Sequence, residues 1–154
     1  ERYTSLMNPD YIINPVMMGG IINGYDGEYA KINLFGRLGV IKIKPELIDG
    51  NAELGSIMEF YFSYIQVVKD PYDYDASRMV AGGEINPSLL GGKIIEVNDT
   101  AVMVSIMNNI GTVAVPRRWV FTSMVLEVGE DVEFYFSPMR IIGKSSVQSN
   151  PIKE

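Results

Sequence analysis

The side chains of this chain that are best suited to chemistry form one short run, Arg117, Arg118 and Trp119. Guanidinium groups bind phosphate or carboxylate oxygens and an indole ring stacks on a nucleobase, so the run could contact an anion or a base. The structural interpretation, which we favour, is that Trp119 fills the position of Leu47 and closes one end of a barrel. Both arginines would then be solvated.

Three more cations complete the candidate ligand-binding set: Arg37, Lys42 and Lys44. Together with Lys31 they would form a basic patch if the fold brings them next to the arginine pair. Such a patch would bind the phosphates of a nucleic acid, and that binding would weaken steeply with salt. The net charge of −6 disfavours a nucleic-acid partner, because proteins that bind phosphates usually carry a basic face.

A second candidate site is the acidic run that holds Asp70, Asp73 and Asp75. Carboxylates are preferred ligands of calcium and magnesium, which makes these three residues weak candidates for a metal site. Their spacing lacks the central glycine and the distal glutamate of an EF-hand loop. We therefore expect a solvated acidic loop, no metal and no cofactor.

The 154 residues include no histidine and no cysteine. This composition removes the commonest general base, thiolate nucleophiles and the usual transition-metal ligands. We therefore predict that the chain is not an enzyme but a binding or scaffold module that acts through contacts with a protein partner. Two alternatives stay open: a nucleic-acid-binding protein of the OB type, and a small-molecule or metal sensor that uses the cleft between two repeats.

The elements that must position these residues occur twice along the chain. The residues Ile-Asn-Pro at 13–15 and Gly-Gly at 19–20 return 72 positions later, and Glu-Phe-Tyr-Phe-Ser at 59–63 returns 74 positions later. A two-residue insertion within 121–128 reconciles the two offsets. A repeat of this length indicates that one structural unit is duplicated.

Both copies alternate apolar and polar residues with a period of two, which is typical of half-buried strands. Strands are predicted at 19–25, 28–35, 38–44, 56–68, 91–97, 100–107, 110–116 and 130–142, with a short link at 45–54. Gly39 and Gly111 fall inside predicted strands and indicate the bends that a small barrel needs. We predict an all-β fold in which each copy is a four- to five-stranded small β-barrel and two units pack as a pseudo-two-fold pair. One larger barrel built from both copies is the alternative.

The repeat divides the chain into a first unit at 11–68, a connecting loop at 69–84, a second unit at 85–142 and a flexible tail at 143–154. No apolar run approaches the roughly 20 residues that a membrane span needs, and no signal segment stands at the start. We therefore expect a cytoplasmic protein.

An apolar strip is a further candidate for a contact surface. Met17, Met18, Leu89 and Leu90 occupy matching places in the two copies, just before the paired glycines. If such a strip is exposed, it would bind a partner.

The strand frame is carried most clearly by Gly-Lys-Ile-Ile-Glu-Val at 92–97, Ile-Gly-Thr-Val-Ala-Val-Pro at 110–116 and Val-Gly-Glu-Asp-Val-Glu-Phe at 128–134. This frame resembles RNA-binding OB-type barrels, Src-homology-3-like barrels and the split barrel that precedes the PilZ domain in flagellar brake proteins. It is also similar to a family of small proteins from clostridia and methanogens, from which no activity carries over. The PilZ domain itself would imply cyclic-dinucleotide binding, but residues 75–80 match only the start of its Asp-x-Ser-x-x-Gly motif and no arginine arm precedes them.

Overall fold

The computed structural model describes residues 13–82, 84–122 and 125–145. Within those residues the chain forms twelve β-strands and four short 3-10 turns, so the all-β prediction is confirmed. No helix in the same residues is long and apolar enough to cross a lipid bilayer.

Each half of the chain contributes six strands. The first half forms β1 (Val16–Asp26), β2 (Tyr29–Leu34), β3 (Val40–Ile43), β4 (Ile48–Asp49), β5 (Ser56–Phe62) and β6 (Ile65–Val68). The second half forms β7 (Ser88–Val97), β8 (Ala101–Ile106), β9 (Gly111–Pro116), β10 (Val120–Phe121), β11 (Asp131–Phe136) and β12 (Met139–Lys144). The 3-10 turns lie at Phe35–Arg37, Pro45–Leu47, Met107–Asn109 and Arg117–Trp119, and each takes the same place in its half.

The alternation in the sequence corresponds to the two sides of the strands. On β2, Ala30, Ile32 and Leu34 are buried and the residues between them are half-buried. Strand β8 has the same burial pattern. Successive side chains of a strand point to opposite faces, so this period of two places the apolar residues in a core and the polar residues outside.

All twelve strands belong to one sheet, in the order β10-β6-β11-β7-β8-β9-β3-β2-β1-β5-β12-β4. The halves join where β3 pairs with β9, and again where β11 pairs with β5, which closes a ring of eight strands. Strands β6 and β12 are exchanged, since each pairs with strands of the other half. Neither half closes a sheet alone, and the single sheet corresponds to the alternative in which both copies build one larger structure.

The pairing register is the same in the two halves. The outward-facing pairs of β1 and β5 are Met17 with Tyr61, Gly19 with Glu59 and Ile21 with Ile57. The pairs at the matching places of β7 and β11 are Leu89 with Tyr135, Gly91 with Glu133 and Lys93 with Asp131. The two outer surfaces are therefore directly comparable, residue by residue.

The predicted strands at 56–68 and 130–142 are each wrong in one respect, because both are interrupted. Strand β5 ends at Phe62 and β6 begins at Ile65, and β11 ends at Phe136 before β12 begins at Met139. The interruption has a topological reason, since the chain leaves one neighbour and joins a strand of the other half. The start of the predicted tail also belongs to the sheet, because β12 continues to Lys144, and residues 146–154 lie outside the described residues.

Two fully buried serines stabilise these interruptions. The hydroxyl of Ser63 accepts the amide N–H of Tyr135 at 2.9 Å, and that of Ser137 accepts the amide N–H of Tyr61 at 2.8 Å. Each hydroxyl also donates to the backbone carbonyl of the next residue. The pair therefore links the two halves with reciprocal hydrogen bonds in a place where no water can replace them.

Four phenylalanines fill the core beside the serines. Phe60 contacts Phe136 edge-on at a centroid distance of 5.8 Å, and Phe62 contacts Phe134 in the same way at 5.9 Å. All four rings are fully buried. Edge-to-face contacts of this kind add to the stabilisation that comes from burying the rings.

Replacing Ser63 or Ser137 by alanine removes the acceptor of a buried amide, so each variant should lose about 1–3 kcal/mol of unfolding free energy. Denaturant titration measures this loss. Ser105→Ala is the control, since that hydroxyl is half-buried and makes only a 3.4 Å bond, and we expect a change below about 0.5 kcal/mol. Equal effects of the core and control variants would contradict the role of the serine pair.

Candidate functional site

Trp119, the aromatic residue of the candidate ligand-binding run, lies in the core. It is 9% exposed, and its indole N–H donates to the carbonyl of Ser63 at 2.9 Å. The ring centroid lies 4.0 Å from that of Tyr64 and 6.2 Å from that of Phe62. Leu47, at the matching place of the first half, is also buried. The indole therefore packs against the protein and presents no open face to a nucleobase.

The two arginines before it are exposed, and only one has a defined contact. The guanidinium of Arg117 donates to the backbone carbonyl of Asn98 at 2.8 Å. Within the described part of the chain, Arg118 makes no hydrogen bond and no ion pair. Arg117 is therefore held against the turn between β7 and β8, and Arg118 is the freer of the two.

The cations of the first half do not join these arginines in one patch. Lys42 pairs across the sheet with Thr112, and Arg117 follows Thr112 by five positions, which is roughly 16 Å along a strand. Lys44 lies past the end of β3 that is remote from Arg117, whereas Arg37 precedes the other end. The expected basic set is thus divided between the two ends of the β3–β9 pair.

Lys42 is also engaged with a carboxylate. Its ammonium group lies 2.7 Å from Asp26, and this hydrogen bond and the charge of Lys42 lower the pKa of that carboxyl. Lys31 is the cross-strand neighbour of Lys42 and adds a weaker effect in the same direction. Because the Asp26 carboxylate lies beside Lys42, this surface carries both positive and negative charges and is not a basic patch.

The acidic run does not assemble a metal site. Asp75 accepts the amide N–H of Ser77 at 2.9 Å, and hydrogen bonds from Ser77 lower the pKa of Asp75. Asp70 and Asp73 are exposed. Across residues 13–82, 84–122 and 125–145, no three acidic side chains lie together as metal ligands would.

The connecting loop packs on the sheet through Tyr74. The Tyr74 hydroxyl donates to Oε1 of Glu133 at 2.8 Å, and the side-chain amide of Gln66 donates to Oε2 of the same carboxylate at 2.6 Å. Glu133 is only 2% exposed. A Cβ at Gly91 would lie 2.5 Å from the Tyr74 ring, so the glycine is required for the ring to lie there. We call this surface, formed by the outward residues of β7 and β11, the linker face.

The sequence analysis did not identify the Gln66–Glu133–Tyr74 contact. Its only sequence signals were the glutamate that opens the repeated Glu-Phe-Tyr-Phe-Ser segment and the glycine that recurs on the neighbouring strand. The repeat shows that these places matter but does not say what lies above them.

The corresponding surface of the first half, which we call the open face, consists of outward residues of β1 and β5 with one ring above them. Its members are Met17, Gly19, Ile21, Ile57, Glu59, Tyr61 and Phe35. The Phe35 ring would lie 3.0 Å from a Cβ at Gly19, so it occupies part of the place that Tyr74 takes on the linker face. Met17 and Phe35 are 44% and 49% exposed.

The two faces differ in polarity at the outward pair that lies at the end of each strand ladder. On the linker face, Lys93 and Asp131 form an ion pair at 2.8 Å. On the open face, the same pair of places holds Ile21 and Ile57. The open face is therefore the more apolar of the two at this end.

The open face also has two arginines at its margin. Arg140 binds Glu59 through Nε at 2.7 Å and Nη2 at 2.6 Å, where the linker face has the neutral Gln66. Arg37 is exposed in the same turn as Phe35. Aromatic residues, methionine and arginine are the side chains in which protein-binding surfaces are enriched.

The predicted apolar strip is split between core and surface. Met17 and Leu89 lie on the outer side of their strands, whereas Leu90 is fully buried and Met18 packs against the core. The period of two along a strand sends adjacent residues to opposite sides. The four apolar residues of the predicted strip therefore do not form one continuous surface.

Two concave regions lie on the described surface. A linker pocket of about 380 Å³ lies under the connecting loop, with Tyr72, Tyr74 and Lys93 among its lining residues. A seam pocket of about 360 Å³ lies where β3 meets β8 and β9, with Lys42 and Met103 among its lining residues. The seam pocket takes residues from both halves.

Removing the Tyr74 hydroxyl tests how the loop is held. Tyr74→Phe should lower the unfolding free energy by about 1–2 kcal/mol, because a hydrogen bond to a buried carboxylate is lost. Tyr135→Phe is the matched control on the same surface, since its hydroxyl has no hydrogen-bond partner in the described residues. Thermal and denaturant unfolding of both variants measure the difference, and a Tyr74→Phe variant as stable as the control would contradict the proposed clamp.

Comparison with known proteins does not assign the chain to a family. No protein-family model matches the chain, and no curated protein matches it.

Proposed function

We propose that this protein is a non-enzymatic binding module that acts through protein contacts made by its open face. The observation that carries the proposal is the difference between two surfaces with one register. The linker face is packed under the chain's own connecting loop, with Glu133 only 2% exposed. On the open face, the Glu59 side chain is 21% exposed and Phe35 is half-exposed.

We further infer that the two halves are copies of one duplicated unit of six strands. The repeated sequence segments, the same order of elements and the same pairing register support this inference. A duplicated unit supplies two equivalent surfaces, of which one can be used inside the molecule and the other by a partner.

The exposed arginine in the Phe35 turn favours a partner that brings an acidic group to this face. Arg37 would attract such a group, whereas Arg140 is already paired with Glu59.

The double variant Ile21→Lys/Ile57→Asp tests the proposal by giving the open face the ion pair of the linker face. The full chain is immobilised, and the proteins it captures from cell extract are quantified. We expect the variant to capture less than about one tenth of the specific partner, because a buried apolar contact is replaced by charges that must be desolvated.

The matched control is the reciprocal variant Lys93→Ile/Asp131→Ile, which changes the linker face and should keep the partner. Circular dichroism and unfolding curves show that both variants are folded. Equal capture by the two variants would contradict the proposal. A wild-type chain that forms a dimer in light scattering, lost in Ile21→Lys/Ile57→Asp, would instead identify a second copy as the occupant.

A second candidate function is a small-molecule sensor, supported by the seam pocket between the halves. Its lining combines the Lys42–Asp26 ion pair with apolar and hydroxyl groups, including Met103 and Thr112. A few polar groups in a concave, largely apolar site are typical of ligand pockets.

Thermal unfolding with a library of small polar compounds tests this candidate, because a ligand that binds only the folded state raises the melting temperature. We expect a concentration-dependent rise that is lost in Met103→Trp, which fills the pocket, and kept in Ile142→Trp at an exposed site on β12. A library without a single such compound would contradict the sensor.

A further inference from the structure

We propose that the partner presents an extended acidic segment with a tyrosine, whose hydroxyl donates to Oε1 of Glu59 on the open face. The inference rests on the proposed function and names the chemistry of the partner. It is drawn from the way the chain covers its own linker face.

The connecting loop is the template for this segment. Residues 70–75 read Asp-Pro-Tyr-Asp-Tyr-Asp, and Tyr74 brings its ring over Gly91 and its hydroxyl to Glu133. A tyrosine within an acidic stretch is thus a ligand that this type of sheet surface already binds within the molecule.

The carboxylates of Glu59 and Glu133 are alike in that a neighbouring strand supplies a hydrogen-bond donor to Oε2 of each. On Glu133, Gln66 binds Oε2 and Tyr74 binds Oε1. On Glu59, Arg140 binds Oε2, and no group in the described residues donates to Oε1. The acceptor that a tyrosine fills on one face is therefore available on the other.

Phe35 changes how the incoming ring must lie. Because the Phe35 ring already lies above Gly19, a partner tyrosine cannot reach the sheet as Tyr74 does at Gly91. It can pack against Phe35 instead, which is 49% exposed, and such aromatic pairs are favourable. The open face therefore selects a ring beside Phe35 together with a hydroxyl at Glu59.

The charges near the face explain why the segment should be acidic. Arg37 and Arg140 stand where the linker face has Asn109 and Gln66. Arg140 already neutralises Glu59, so the tyrosine hydroxyl meets a paired carboxylate, and Arg37 is left to attract an acidic side chain beside it. Charge complementarity of this kind selects acidic over basic segments.

A synthetic peptide with the sequence of residues 69–77, acetylated and amidated, is the probe. It is titrated into the ¹⁵N-labelled full chain, and amide shifts are followed. We expect saturable shifts at 17–21, 35–37 and 57–61, with half-saturation below about 1 mM, as befits a short flexible ligand.

Three changes should weaken this binding. Phenylalanine in place of the second tyrosine of the peptide should raise the dissociation constant roughly fivefold to tenfold, since one hydrogen bond to a carboxylate is lost. Glu59→Gln in the protein should have an effect of similar size. Asparagine in place of the three aspartates, or about 0.5 M salt, should weaken binding severalfold through screening and loss of charge. Thr112→Ala at the seam is the control and should leave the constant unchanged.

Shifts confined to 88–97 and 131–136 would overturn the proposal, because the peptide would then be displacing the chain's own loop. A dissociation constant that stays the same when the tyrosine hydroxyl is removed or Glu59 is replaced would overturn the proposal as well. So would the absence of saturable shifts. If the peptide fails while Ile21→Lys/Ile57→Asp still abolishes capture of the partner, only the chemistry of the partner is wrong. If both experiments fail, the open face is not a protein-binding surface.

Discussion

The structure depends on the junction where β5 and β11 cross from one half to the other. Phe62 and Phe136 pair there, and Ser63 and Ser137 each accept an amide from the opposite half. Because β6 and β12 continue from this point into the sheet of the other half, a break at the junction would separate both exchanged strands. Buried hydroxyls suit this role, since they satisfy backbone groups that the interrupted ladder would leave without partners.

The same junction explains why two surfaces with one pairing register can be compared directly, although only one of them is covered by the connecting loop. It holds the β1–β5 and β7–β11 pairs in matching positions, so differences between the faces come from side chains alone. On the linker face Tyr74 holds the connecting loop to Glu133, and Lys93 pairs with Asp131. The open face has two isoleucines in place of that ion pair and an exposed phenylalanine. Of the two faces, only the linker face is covered by the connecting loop in the described residues.

The second contact between the halves, at the β3–β9 pair, requires glycine for a reason that the sequence does not state. A Cβ at Gly39 would lie 1.8 Å from the carbonyl oxygen of Ala114, and one at Gly111 would lie 1.9 Å from that of Lys42. The sequence predicts bends inside strands at these glycines, whereas Gly39 lies just before β3 and Gly111 opens β9. Both positions require glycine because a backbone from the other half approaches closely. A chain can only show such a requirement once its distant parts are brought together.

Local patterns of the sequence determined that this protein is all-β, where most of its strands lie and which side of each strand is buried. These properties depend on the period of two and on turn residues, which act between near neighbours. The tertiary structure alone decided that the halves share one sheet, that Trp119 is buried against Tyr64 and that Lys42 pairs with Asp26. It also decided which of two similar faces lies under the loop. Strand partners far apart in the chain are selected by packing and hydrogen bonding in three dimensions, and no local pattern records that choice.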